Sequence, residues 1–425
     1  MLGKDDNELM CRVGPGTLMG TLMREYWLPA IRADELPAPD CPPLRVRLLG
    51  EDLIGFRTTS GEVGLIQNAC PHRGASMFFG RNEEEGLRCV YHGWKFDVTG
   101  ACVDMPSEPA ESNFKNKVRT RAYPTRERGG VIWAYMGTRE VPPPLPDLEA
   151  NMLPDGEASI YNIYIQSNFM QNWEGEMDTV HAAFLHGDAN PEARRTPGTA
   201  AYYQAQNKAP RFSVLDTEWG TSYGAYRPAE EDSHYWRIAH MLFPFYAMIP
   251  TGTLGMQVFW RAYVPMDDEH TLMWTQVKGP GDRRIDWKPN TTAWNGRFNI
   301  TQGPENEFML DRELQKSGTS YSGIPGGARP QDMAVTYSMG SIYDRSREHL
   351  GTTDQLIIRT RRRVLNAAKA LRQHGVTPPG VDNPEFYRQR SGGIVLPRSV
   401  DWWEGTKELR QTFVKHEGLK PLAGV

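Results

Sequence analysis

Cysteine is scarce in this chain: five residues in 425, Cys11, Cys41, Cys70, Cys89 and Cys102. An odd and sparse set excludes the dense, even frameworks of small secreted scaffolds and makes thiolate ligands a better expectation than disulfides. Long hydrophobic runs are missing too, with no stretch of about 18 apolar residues that could cross a bilayer. The opening "MLGKDDNELMCRVGPG" is acidic and has no apolar leader core. Positive charge is not in excess: 48 Lys and Arg stand against 52 Asp and Glu, so neither nucleic acid nor an anionic membrane is an expected partner. Internal repeats and low-complexity tracts are also absent. Together these absences predict a soluble, bacterial-type cytoplasmic protein.

The length exceeds the roughly 250 residues at which single cores stop growing, so two domains are expected. Residues 1–42 should form a helical segment packing on the larger domain, with Leu18, Leu22 and Tyr26 of "GTLMGTLMREYWLPA" at helical spacing before Pro29. Residues 43–140 break into short β-like runs punctuated by glycine, the texture of an all-β module. The proline-rich strap "TREVPPPLPDLEA" marks the boundary, and a second domain should run over 150–425. There "ASIYNIYIQSNF" alternates like a strand, "MQNWEGEMDTVHAAFLHG" reads as a helix closed by Gly187, and aromatic-rich runs between Tyr202 and Val277 suggest an antiparallel sheet. A last helix in "DQLIIRTRRRVLNAAKALRQHG" has Asp354 as its expected cap and Leu356, Ile357, Val364, Leu365, Ala368 and Leu371 on one apolar face before Gly375.

Two constellations carry chemistry. Cys70, His72, Cys89 and His92 give C-x-H, sixteen intervening residues, then C-x2-H. Cys2His2 is also an ordinary zinc set, but structural zinc more often takes its ligands as C-x2-C and H-x3-H pairs. Here each loop offers one thiolate and one imidazole, which suits two irons, the cysteines on one and the histidines on the other. A zinc-binding interaction module remains the alternative. Cys11, Cys41 and Cys102 have no partner motif and are expected to be structural thiols. The boxes "CPHRGA" and "CVYHGWKFD" closely resemble the two cluster-binding boxes of the Rieske family, and the resemblance implies a [2Fe-2S] cluster held by Cys70, His72, Cys89 and His92.

The second constellation lies in "NFMQNWEGEMDTVHAAFLHG". Five steps of 100° put His181 and His186 about 140° apart on a regular helix, so they can share a metal only if the helix ends or bulges between them. Two histidines and one carboxylate on iron leave positions open for dioxygen, the arrangement of non-heme Fe(II) oxygenases. Asn168, Gln171, Glu174, Gly175, Asp178, His181 and His186 resemble the N-x2-Q-x2-E-G-x2-D-x2-H-x4-H box of phthalate-type Rieske oxygenases. That resemblance implies an α+β chain: an all-β Rieske domain plus a catalytic domain whose antiparallel sheet is covered by helices, helix-grip-like. It implies a mononuclear Fe(II) on His181, His186 and a downstream aspartate, Asp332 or, as runner-up, Asp344, with O2 as co-substrate.

The resemblance further implies a flavin- and ferredoxin-bearing, NADH-dependent reductase as electron donor and a homotrimer or stacked trimers. In that assembly Asp178 connects the cluster of one subunit to the iron of the next. The implied activity is hydroxylation or O-demethylation of an aromatic, carboxylated compound; a Rieske electron-transfer protein without oxygenase activity is the alternative. For the substrate, Arg237, His240 and Arg261 are candidate carboxylate partners. Trp173, Phe184, Phe243, Phe245, Met248, Met256, Phe259 and Trp260 are candidate apolar wall.

Overall fold

The computed structural model describes residues 2–109, 111–187, 191–281, 285–416 and 418–422. Its helices are α1 (Lys4–Cys11), α2 (Leu18–Arg24), α3 (Phe169–Met177), α4 (Ala200–Gln206), α5 (Arg312–Lys316), α6 (Ala328–Ser338) and α7 (Gln355–His374). Helix α2 stops earlier than its apolar spacing predicts. Thr17 caps its start and Glu25 its end after Arg24, so Tyr26 lies outside it. Trp27–Arg32 is instead a strand paired antiparallel with Val131–Tyr135, and the register slips between Pro29 and Ile31. A proline has no N–H to give the ladder, so it sits where the pairing is interrupted. The segment expected to be only helical therefore contributes a strand to the first β module.

That module contains two further small antiparallel sheets. One joins Leu44–Leu48, Glu51–Arg57 and Val63–Gln67, and the other joins Arg81–Glu83, Gly86–Arg88, Lys95–Phe96 and Cys102–Asp104. Ile54, Phe56, Ile66, Leu87 and Phe96 fill a small core of their own, with Cys70 and Cys89 at its edge.

The second half is built on an eight-stranded antiparallel sheet. Ala158–Ile165 pairs Thr271–Lys278, which pairs Phe259–Pro265. Through Tyr246–Met248 the sheet continues to Ser233–Leu242, Gly220–Pro228 and Arg211–Thr217. Gly392–Pro397 adds to Ser233–Leu242. Helix α3 packs against the central strands and α7 against Gly220–Pro228, while α1 and α2 pack on α7. Helix α7 buries Leu356, Ile357, Val364, Leu365 and Ala368, each large aliphatic contributing about 1.5–3 kcal/mol. It ends at Gly375, whose φ of 65° is the left-handed conformation glycine adopts without strain. Asp354 precedes α7 without a side-chain cap; its Oδ2 instead accepts from the N–H of Gly351. No helix among the described residues is long and apolar enough to cross a membrane.

Candidate metal centres

Each cysteine–histidine loop closes on itself. Gly74 N–H donates to the Cys70 carbonyl at 2.8 Å and Gly93 N–H to the Cys89 carbonyl at 3.0 Å, and both glycines have φ near +78° (78° and 77°), the conformation that lets a tight turn bring backbone N–H groups inward. Cys70 and Cys89 are buried. The rings of His72 and His92 lie 4.3 Å apart, and His72 stacks on Trp94 at 4.3 Å. Burial pushes the Cys70 thiol up to about 11, against the lowering effect of the His72 and Arg73 backbone N–H groups.

Nδ1 of His72 is buried with no hydrogen-bond partner. A buried imidazole nitrogen left unpaired is costly unless it is a ligand, so these residues fit a [2Fe-2S] cluster. Among the described residues, His181, His186 and Asp332 bring three ligand atoms within 4.8 Å of one another, the second candidate centre. Cys11 Sγ donates to Asn7 Oδ1 and Cys102 Sγ to the Asp104 carbonyl, and Cys102 packs in the same small core as Cys70 and Cys89.

The second centre forms where α3 ends. Asn168 caps the helix by accepting from Met170 N–H, and α3 stops at Met177, well short of the predicted Gly187. Asp178 turns extended, and its Oδ1 accepts from Val180 N–H at 2.6 Å and His181 N–H at 3.3 Å. This local side-chain bond competes with helix continuation. A single 3₁₀ turn follows over His181–Ala183, and the chain reversal brings His181 Nε2 within 3.2 Å of His186 Nε2.

Helix α6 delivers the carboxylate. Asp332 Oδ1 lies 2.9 Å from His186 Nε2 and 3.6 Å from His181 Nε2. Asp344 is elsewhere, capping the turn Arg345–Arg347 through Ser346. Burial would raise the Asp332 pKa, but the His186 hydrogen bond and the charges of His186, His181 and Arg329 hold it below its ordinary value. Burial would lower that of His181, but Asp178 and Asp332 hold it above the ordinary value. Oδ2 of Asp178 lies 3.6 Å from His181 Nδ1.

The surroundings were not legible from residue spacing. Glu176 pairs with Arg261 and accepts from Tyr263, and Arg329 bridges Glu176 and Asp332 at 3.6 Å to each. Arg261 is thus consumed by the protein's own carboxylate, unlike the substrate role expected of it. His240 is consumed likewise: fully buried, it bonds to Ser222 at 2.7 Å and the Arg390 carbonyl at 3.2 Å. Burial and the nearby Arg410 lower its pKa to about 3. Three residues along a strand, it projects from the face opposite Arg237.

Arg237 does reach the site's side of the sheet, where its Nε donates to Thr179 Oγ1 at 2.7 Å, next to Asp178. Phe184 is half-buried beneath Lys208, whose Nζ lies 4.7 Å from its ring centre. A cavity of about 250 Å³ adjoins Asp178, His181 and Asp332, with Ile163, Ile165, Leu185, Met273 and Met333 in its wall. None of the apolar candidates named from sequence lines it; Trp173, Phe243, Phe245, Met248 and Trp260 are plain core.

Comparison with known proteins matches two family models. The Rieske [2Fe-2S] domain family matches residues 26–124, and the family described as LigXa C-terminal domain like matches 134–420. The chain is 48% identical over 417 residues to the 3-chlorobenzoate-3,4-dioxygenase oxygenase subunit of Comamonas testosteroni, covering 93% of this chain and 96% of that one. It is 36% identical over 422 residues to the phthalate 4,5-dioxygenase oxygenase subunit of Pseudomonas putida, covering 95% and 94%. Among solved structures, the oxygenase in the oxygenase–ferredoxin complex of carbazole 1,9a-dioxygenase shares the fold, with a TM-score of 0.52 at 18% identity over 88% of this chain and 93% of that one.

Proposed function

The chain belongs to the Rieske oxygenases, as an oxygenase subunit with a [2Fe-2S] cluster and a mononuclear iron, and on that premise we propose that it oxygenates an aromatic carboxylate. When bound, the cluster supplies electrons singly and the iron activates dioxygen. The rest is what the protein's own groups do.

Cys70, Cys89, His72 and His92 would hold the cluster, and His181, His186 and Asp332 would hold the iron, a two-histidine, one-carboxylate set suited to dioxygen chemistry. Asp178 orients His181 through its ring Nδ1 and stays anionic: the His181 hydrogen bond and charge outweigh burial and keep its pKa below the ordinary value. Its side chain is still 31% exposed, which supports its bridging to His92 of a neighbouring subunit in a head-to-tail trimer. Phe79, Val90, Tyr91 and Phe114 stand exposed in the cluster-bearing module, an apolar apron suited to such a contact. The electron donor is a ferredoxin-bearing, NADH-dependent reductase, and the setting is the cytoplasm.

The observation that carries the substrate reading is Arg237. It forms no ion pair among the described residues, and it adjoins Thr179 and so the iron-binding turn. Arg227 lies diagonally across the neighbouring strand on the same face, since Arg227 opposes Tyr235 and Ala225 opposes Arg237. Arg227 is fully buried, and both its terminal nitrogens lack a partner among the described residues. Two guanidinium groups without an acid between them favour an anionic substrate group. His240 and Arg261, already paired internally, act as scaffold, while Phe184, half-buried on the iron turn, does not line the cavity.

The test is an anaerobic single turnover with the reduced protein and a panel of aromatic carboxylates and their neutral amides, followed by oxygen and product mass. Two added hydroxyls identify dihydroxylation and formaldehyde identifies demethylation. Turnover of the amides alone would overturn the carboxylate reading.

A further inference from the structure

Helix α6 places two adjacent residues at the iron site, and only one of them is a ligand. Gln331 precedes Asp332, is buried, and its Oε1 lies 2.7 Å from Nδ1 of His186. An amide can be turned either way at this distance, but its second contact decides the orientation: Nε2 donates to the Ile324 carbonyl at 3.1 Å. A carbonyl accepts only, so the amide nitrogen must face Ile324 and the amide oxygen must face His186. His186 Nδ1 then carries a proton and donates it to the amide, which would leave Nε2 to offer its lone pair to a bound metal.

We propose that Gln331 is a positioning residue for the mononuclear iron: its amide oxygen fixes the tautomer and ring angle of His186. The inference rests on the reading of His181, His186 and Asp332 as ligands. It separates the two histidines by what stands behind them. His181 is backed by the charged carboxylate of Asp178, the residue assigned to electron transfer, whereas His186 is backed by a neutral amide on the same helix as the third ligand. Any movement of α6 therefore shifts Asp332 and the orientation of His186 together. Outer partners of this type set metal affinity by about 10- to 100-fold.

Two substitutions distinguish positioning from simple packing. Gln331→Met keeps the volume but removes both contacts. Gln331→Glu keeps an acceptor for His186 and loses the donor to Ile324. The measurement is Co2+ affinity of the cluster-loaded protein after its mononuclear iron has been removed, by competition with a chromogenic chelator, with the cobalt absorption spectrum and the Rieske EPR signal recorded for each variant.

The expected result is a loss of affinity of about 10- to 100-fold in Gln331→Met, a near-normal value in Gln331→Glu, and an unchanged cluster signal in both. Affinity in Gln331→Met within about threefold of the unsubstituted protein, well inside the range such partners span, overturns the proposal. So does Gln331→Glu as weak as Gln331→Met, which would assign the effect to the anchor at Ile324. A His186→Ala control keeps the failures apart, since cobalt binding unaffected by that change would refute the ligand reading itself.

Discussion

Oδ1 of Asp332 lies 2.9 Å from Nε2 of His186, although the two stand on separate elements, a helix and an irregular turn, joined by most of the central sheet. Asp332→Ala should abolish binding of the mononuclear iron and turnover while the Rieske EPR signal stays. Metal analysis alongside EPR checks it. Iron retained with normal activity would return the third-ligand role to another carboxylate such as Asp344.

Asp178→Asn keeps a hydrogen-bond acceptor near His181 but removes the charge. Iron content should be unchanged, while oxidation of the reduced cluster during turnover slows by about 10- to 100-fold. Stopped-flow absorbance of the cluster measures it, and an unchanged rate would remove Asp178 from the electron path.

Cys70→Ser should remove the visible Rieske spectrum and leave His181, His186 and Asp332 able to bind Fe(II). Such protein should fail to turn over with any reductant that acts through the cluster. Loss of a zinc signal in place of an iron–sulfur one would contradict the two-iron reading of these loops.

Arg237→Gln should raise KM for an aromatic carboxylate by about 30-fold or more, the effect of about 2 kcal/mol expected when one partner of a desolvated charge pair is removed. The corresponding neutral amide should be affected little. Arg237→Lys should recover only part of the loss, because an ammonium does not reproduce the guanidinium fork. Steady-state kinetics on both substrates decides.

Glu174 gives the protein an acid limb. Burial would raise its pKa, but Arg345 and Arg361 outweigh burial and hold it below 4.5, with contacts of 2.9 Å and 2.6 Å. The folded state therefore holds this proton less readily than the unfolded chain, so the stability from this group is complete above pH 4.5 and falls away as pH drops through the depressed folded value. Glu174→Gln should flatten that acid dependence and cost about 3 kcal/mol near neutrality, because it leaves two buried guanidiniums short of charge. Denaturant melts between about pH 2 and 7 check both effects; equal acid slopes in the two proteins would refute the assignment.

Local boxes in the sequence determined the chemistry of the two metal centres. Cys70, His72, Cys89 and His92 lie within two short glycine-bearing turns, and Asp178, His181 and His186 lie within nine consecutive residues, so ligand type and spacing could be read without knowing the fold. The β texture of the first module, the sheet of the second and the amphipathic α7 were legible because alternation and helical periodicity are local signals. Tertiary structure decided what depended on distant partners. The α3 segment looked helical through Gly187 but ends at Met177, because the Asp178 carboxylate takes backbone N–H groups that helix continuation would need. Asp332 rather than Asp344 reaches the histidines, and among the described residues Arg237 has no ion pair, whereas Glu176 takes Arg261 and Ser222 with the Arg390 carbonyl takes His240. No spacing rule announces Gln331 behind His186, because a contact between a helix and a turn so far apart in the chain is fixed by packing of the sheet between them.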